Sequence, residues 1–560
     1  SRDEAIAKQR ETLPKYGLRF VWFGDEQSIT GYSGKPIDFC FSPSCLAEFR
    51  TFARAKYGTL EKLNEEYESG FRSWDEVIPY TRQEVWDANG GHVAGWSDHL
   101  EFMDSRLTNS IAYSCRKLKE VDPDLRFALS GTQIPSAYGG MDWWKILQVL
   151  DCALSYGYGG QHPIHRSFSP DGRFMPWDWG YARAGDAGIN RVWGPLFNSL
   201  RGIMGFQSSS QWLPDLTPSK GLADTTPHIL RMKRGIGRHI LENLSVKADV
   251  AIYYSQASFR AAFIENRRKE HEASAANFRE ALPRLGCSYD YVSPEQLAAG
   301  VAARKGYRAL VLPDAAAMDD AEIVAIAAFV RAGGTLVADG MPGRLKANCR
   351  ARPSSPFAKA FRQDRHTLFE TFGEDDLDAL EAALAKAGLG ADRLTIAEDG
   401  KTVRDLGIST KVDRKGNLFW GILPHRKRGA LTIRFPRKGF VYELVDGKAY
   451  GSTDRVAVPA GRSVALAFVQ VPEETGVADA AVEGRTVSVR CAGNVDTVVR
   501  VEVRRPDGTE AACYAKNLTV KSGETVRYAV PFALNDPHGE WRVAVAEVLS
   551  GKTVERKMTR

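Results

Sequence analysis

No apolar run in this 560-residue sequence approaches the ~20 residues a bilayer-crossing helix needs, so a membrane span is excluded. Charge of one sign is also lacking. Lys and Arg number 75 against 69 Asp and Glu, a net +6, whereas nucleic-acid binding calls for a concentrated basic stripe. The densest basic stretch, Arg267-Arg268-Lys269, runs straight into Glu270, His271 and Glu272, which is the pattern of a solvated helix face. The eight cysteines (40, 45, 115, 152, 287, 349, 491 and 513) form neither a disulfide framework nor a four-ligand zinc pattern. Ser208-Ser209-Ser210 lacks the glycines of a nucleophile elbow, which argues against serine hydrolysis. Neither a cofactor nor a metal is expected. What remains, with 43% hydrophobic and 26% charged residues, is a folded chain of roughly three or four domains.

Four regions follow from the periodicity. Residues 1–245 alternate short apolar strands with helical stretches, an α/β pattern. Strands are expected at 18–23, 126–130, 152–156, 173–177 and 203–207, and helices at 43–57 and 98–120. Residues 246–395 form a second α/β region, with buried parallel strands at 250–254, 309–313 and 335–339 and helices at 270–285 and 320–332. Residues 343–356, with Gly, Pro, Ser and four positive charges, read as a surface loop. From 396 the period becomes two: a small antiparallel β domain at 396–471, then an immunoglobulin-like β-sandwich at 472–560.

Tryptophan is nearly absent from the second half: ten of the twelve lie between positions 22 and 212. Indole rings stack on sugar C–H faces as well as filling cores, and this crowding at strand ends points to a ligand cleft. The strand ending Trp22-Phe23-Gly24-Asp25-Glu26 delivers carboxylates to such a place. Glycosidic cleavage needs one carboxyl to protonate the leaving oxygen and a second to attack the anomeric carbon or activate water. Between residues 127 and 212 there is no glutamate, and among the aspartates only Asp178 directly follows an expected strand. Asp142 reads as a helix cap, Asp151 begins a strand, Asp171 sits in a turn and Asp186 in a Gly-rich loop. Asp178, between Trp177 and Trp179, is therefore the second candidate carboxylate, against the alternative of a structural cap. His162, with His165 in the loop after the 152–156 strand, and Tyr156 are candidate sugar contacts; Gln211 and Trp212 follow the last strand.

These residues, with Phe41-Ser42-Pro43-Ser44-Cys45-Leu46-Ala47-Glu48-Phe49-Arg50, Lys56-Tyr57-Gly58-Thr59-Leu60-Glu61-Lys62-Leu63-Asn64 and Trp74-Asp75-Glu76-Val77-Ile78-Pro79, resemble glycoside hydrolase family 42, the β-galactosidase type. The resemblance implies a (β/α)8 barrel with Glu26 as acid/base after its fourth strand and Asp178 as nucleophile after its seventh. Region two resembles the family's amidotransferase-like trimerisation domain, which implies a homotrimer. Trp22, Asp25, Tyr156, His162, Trp177, Trp179, Gln211 and Trp212 then line the substrate cleft. The implied function is hydrolysis of a β-linked oligo- or polysaccharide, with retention of configuration. Departures from the family are Asp25 where it has Asn, Asp178 where it has Glu, and only Cys40 and Cys45 where it has zinc cysteines, so zinc is not expected. These departures keep open a catalytically silent carbohydrate-binding relative or a structural surface protein. Strands one to three of the barrel are not in the sequence, and a separate chain or segment is expected to supply them. A secreted or periplasmic location is expected from the substrate class.

Overall fold

The structure, a computed structural model, describes residues 2–31, 35–131, 135–157, 160–169, 176–180, 183–205 and 208–560, with the side chains of 2, 155, 176–180, 208 and 209 outside the description. Its architecture is multidomain α/β plus β. The first parallel sheet contains β1 (Phe20–Asp25), β2 (Arg126–Gly131), β3 (Cys152–Ser155), β4 (Pro176–Gly180) and β5 (Gly202–Gly205), in chain order. Each strand is followed by helix, as a βα alternation requires. The chain divides into two compact units, one of residues 1–178, 249–281 and 289–389, the other of 179–248, 282–288 and 390–560.

In the first unit, the helix Pro43–Tyr57 forms as the sequence dictates. Ser42 caps it by accepting from the Cys45 N–H, Pro43 occupies the first turn where no N–H is needed, and Gly58 at φ 76° ends it. The next long helix runs Val93–Lys119 and starts a turn earlier than its apolar pattern suggests. Gly95 hides that turn: a Cβ there would stand 2.6 Å from the Tyr80 ring, so glycine is needed for close packing. This helix carries charge inward. Asp98 is fully buried and accepts from Lys56 Nζ (2.8 Å), Tyr57 OH (2.7 Å) and Tyr67 OH (3.0 Å), while Asp104 pairs with the buried Arg260 at 3.1 Å.

The second parallel sheet of this unit has the order Thr367–Phe369, Thr335–Asp339, Ala309–Pro313, Ala248–Tyr253, Ser288–Val292. Its middle strands are wholly buried, which is why they are continuous apolar runs in the sequence. Residues 343–356 are not the exposed loop expected. Leu345–Lys346 pair in parallel with Ala317–Met318, Cys349 and Asn348 are buried, and the charges are absorbed by ion pairs of Arg344 with Glu265 and Lys346 with Glu66.

Two buried carboxyls of this unit make stability depend on pH. Burial pushes Asp104 up to about 7, overriding Arg260, and pushes Glu322 up to about 7, overriding the hydrogen bond from Tyr253. A carboxyl whose folded value lies above its unfolded one takes up a proton on folding. Its contribution is complete below the unfolded values of 3.8 and 4.5 and is lost as pH rises to about 7. Glu101, held down at about 2 by Lys56 and Arg260 against its burial, acts in the opposite sense but only below pH 4.5. Buried His99 and His165, held down at about 4 and about 3, act in the opposite sense up to pH 6.5, so the readout is a difference: the melting temperature of the wild type relative to the Asp104→Asn/Glu322→Gln double variant should fall between pH 5 and pH 7.5. A scanning-fluorimetry series in which the variant keeps the wild-type slope would refute the assignment.

The second unit is mainly β. Lys401–Thr402, Thr395–Glu398, Leu431–Glu443, Leu466–Val471, Leu418–Pro424, Leu406–Val412 and Ser245–Val246 form one antiparallel sheet in that order, with Lys448–Val458 paired to Leu431–Glu443. Beyond it, a three-stranded and a four-stranded sheet enclose Val487, Val489, Val501, Val543 and Trp541 in one core, the sandwich pattern of alternating inward residues.

Candidate active site

β1 begins in regular register with β2 (Phe20 opposite Arg126, Trp22 opposite Ala128) and then slips before Asp25 meets Ser130. Gly24 sits at the slip with φ 124°, a conformation that L side chains rarely adopt. Glu26 follows in the left-handed region at φ 51°, its N–H donating to the Ser130 carbonyl at 2.9 Å. The bulge thus turns two consecutive acidic residues out of the strand at its carboxyl end. Such a non-glycine φ is held only where surroundings impose it, a common mark of a functional position.

Asp25 is fixed by two strands. Its Oδ1 accepts from the Ser130 hydroxyl on β2 and from the Tyr156 hydroxyl just beyond β3. Trp22 is 44% exposed, its indole N–H donating to the Gly24 carbonyl at 2.7 Å. His162 packs its ring against Gly157 at the start of the helix Gln161–Phe168, so His162 and His165 lie on a helix and not in the loop expected. Burial holds His165 down at about 3, which keeps it neutral and inside.

Asp178 lies within β4, not after a strand ending at 177. Residues 173–175 of the expected strand lie outside the described residues. Register nevertheless carries it to the same rim as Glu26. Asp25 is opposite Ser130 and Ser130 opposite Leu154; Gly131 is opposite Ser155 and Ser155 opposite Trp177. The row one residue beyond Asp25 therefore ends at Trp177, and Asp178 is the next residue on the rim. The side chains of Trp177, Asp178 and Trp179 fall outside the described residues. Gln211 and Trp212 belong to the second unit, where Trp212 is 46% exposed and bridges to Pro218. Asp142 caps the helix Trp143–Val149, and Asp151 accepts from the Phe127 N–H at the sheet's opposite end, so neither competes for the role. Asp186 stands in the first turn of the helix Gly185–Phe197 instead of a loop; Asp171 lies outside the described residues.

What sequence reasoning missed is the tie from Asp25 to Ser130 and Tyr156. A hydroxyl at the end of an apolar strand and a tyrosine after the next were its only signals. Cys40 and Cys45 do not fit a zinc site: Cys40 Sγ hydrogen-bonds Ser42 Oγ at 3.1 Å, and among the described residues no three His, Cys, Asp or Glu side chains gather as ligands.

The family profile described as β-galactosidase matches residues 31–173, and that of the β-galactosidase trimerisation domain matches residues 248–358. The first match contains neither Glu26 nor Asp178. β-Galactosidase BgaP of Planococcus sp. (strain L4) is 27% identical over 120 residues, covering 20% of this chain and 17% of that protein. β-Galactosidase LacZ of Lactobacillus acidophilus is 28% identical over 126 residues, covering 21% and 19%. The aligned part of the chain thus spans under a fifth of these curated relatives. Among solved structures, a GH42 β-galactosidase from G. stearothermophilus superposes with TM-score 0.63 at 13% identity, covering 84% of this chain and 81% of the other. The β-galactosidase of Bacillus circulans sp. alkalophilus gives 0.61 at 14%, covering 84% and 82%. These likenesses establish a shared fold. Two segments of the chain, 31–173 and 248–358, match the β-galactosidase and β-galactosidase trimerisation-domain profiles of glycoside hydrolase family 42.

Proposed function

We propose that the chain carries the active site of a retaining glycoside hydrolase acting on a β-linked, galactoside-like oligo- or polysaccharide. The observation that carries this reading is the register row that brings Glu26 and Asp178 to one rim of one parallel sheet. β1 and β4 are three strand spacings apart, ~14 Å of backbone at ~4.8 Å each if the sheet were flat, and closure of the sheet into a barrel shortens that gap. In the first step the Asp178 carboxylate attacks the anomeric carbon while Glu26 gives its proton to the leaving oxygen. In the second, ionised Glu26 takes a proton from water, which displaces Asp178 and regenerates both groups. Asp25, anchored through Oδ1, offers Oδ2 to a sugar hydroxyl, and Trp22, Tyr156, His162 and Trp177 supply the rest of the cleft.

The same reading places β1 to β5 as the fourth to eighth strands of a (β/α)8 barrel. A further segment or chain pairs with β1, whose Phe20 and Trp22 are exposed at the sheet's end. The amidotransferase-like domain at 246–395 assembles a homotrimer, the β domains are 396–471 and 472–560, and the enzyme works outside the cytoplasm. A three-chain mass by light scattering checks the assembly. Stereochemistry checks the mechanism: NMR of a β-galactoside digest should show the β-hemiacetal first. First appearance of the α-anomer would mean that the shorter Asp178 acts on water instead. The departures at Asp25 and Asp178 favour one rival, a silent carbohydrate binder, which absence of turnover over a broad glycan panel would support.

A further inference from the structure

In open parallel sheets, ligands bind outside the carboxyl ends of the strands where the strand order reverses. The second parallel sheet reverses at Ala248–Tyr253, which lies between the next strand in sequence, Ser288–Val292, and the one after it, Ala309–Pro313. A cavity of about 250 Å3 opens at that point, reached by the ends of all three strands through Tyr253, Tyr254, Tyr291 and Pro313. Tyr253, Tyr254, Tyr291 and Phe259 supply aromatic surface to its walls, and its volume suits a ligand of one ring.

The charges around it are unequally satisfied. Glu272 is paired with Arg268 at 2.7 Å. His271 is held through Nδ1 by Asp314 at 3.1 Å, and Asp314 is also bound by Arg267 at 3.0 Å, so these groups neutralise one another. Asp314 sits at φ 33° immediately after the strand Ala309–Pro313, a strained position that this pairing maintains. Arg279 differs. Among the described residues lining the cavity it is the cation without a close carboxylate: Glu280, itself 72% exposed, lies 3.9 Å away, and the Tyr291 hydroxyl is its hydrogen-bond partner. A guanidinium at the edge of an aromatic slot recognises a planar anion through two parallel hydrogen bonds.

We propose that this crevice binds a one-ring aromatic carboxylate, its ring between the tyrosines and its carboxylate on Arg279. The site uses neither Glu26 nor Asp178 and stands whether or not that reading holds.

The test uses the full chain with 4-hydroxybenzoate as probe and 4-hydroxybenzamide as its neutral counterpart, titrated by calorimetry and ligand-observed NMR. The acid should bind saturably at millimolar concentration or below, and more tightly than the amide. Arg279→Gln should weaken the acid at least tenfold while leaving the amide unchanged. Ala276→Phe, which fills the cavity from the helix Arg268–Arg284, should abolish binding of both. Melting curves matching the wild type establish that the variants are folded. The proposal is overturned by no saturable binding up to 10 mM, by equal affinity for acid and amide, or by binding that survives Ala276→Phe.

Discussion

Glu26→Gln should lower kcat on an unactivated β-galactoside by about 10²- to 10⁴-fold, the usual worth of a positioned general acid, with KM little changed. The loss should shrink on an aryl galactoside whose leaving group needs no proton. Asp178→Asn should be at least as damaging on both substrates, because it removes the attacking oxygen itself. Small-nucleophile rescue separates the two roles. Added azide should restore Asp178→Ala to an α-galactosyl azide and Glu26→Ala to the β-azide, since each variant leaves a different face of the sugar open. Identical rescue products from both variants would contradict the assignment.

Lys56→Met should be the most destabilising of the conservative single changes in the first unit. One ammonium serves two carboxylates, Asp98 at 2.8 Å and Glu101 at 2.7 Å, and Asp98 is wholly buried. Both carboxylates hold Lys56, whose side chain is a quarter exposed, well above the ordinary lysine range. Removing one partner of a buried pair leaves a charge without compensation and costs about 3–5 kcal/mol, a melting shift on the order of 10 °C for a unit this size. Adding Asp98→Asn should recover much of the loss, because the remaining amide can still bond Tyr57 and Tyr67. A double variant no more stable than Lys56→Met would show that packing, not charge, is what the lysine supplies.

The sequence disclosed those elements whose cause is local. The strands Ala309–Pro313 and Thr335–Asp339 are buried on both faces and so are unbroken apolar runs; the helix Pro43–Tyr57 has its cap, its proline and its terminating glycine in line. Elements whose cause is tertiary stayed hidden. The first turn of Val93–Lys119 depends on ring contacts at Gly95, and the strand Leu345–Lys346 exists because Ala317–Met318 accepts it. At the rim the same rule holds. Asp25-Glu26 is legible as an acidic pair ending an aromatic strand, but the hydroxyls that anchor Asp25 come from 105 and 131 residues further along the chain. Asp178 is singled out in the sequence by the scarcity of acids around it, and its strand runs on to Gly180, past the end expected at 177.

Covalent trapping probes the two-carboxylate arrangement most directly. A 2-deoxy-2-fluoro-β-galactoside with a good leaving group forms the glycosyl-enzyme but turns it over slowly. Peptide mass mapping of the inactivated full chain should then place one fluorogalactosyl group on Asp178. A label on any other carboxylate, or hydrolytic activity that proceeds with Asp178 unlabelled, would contradict the account.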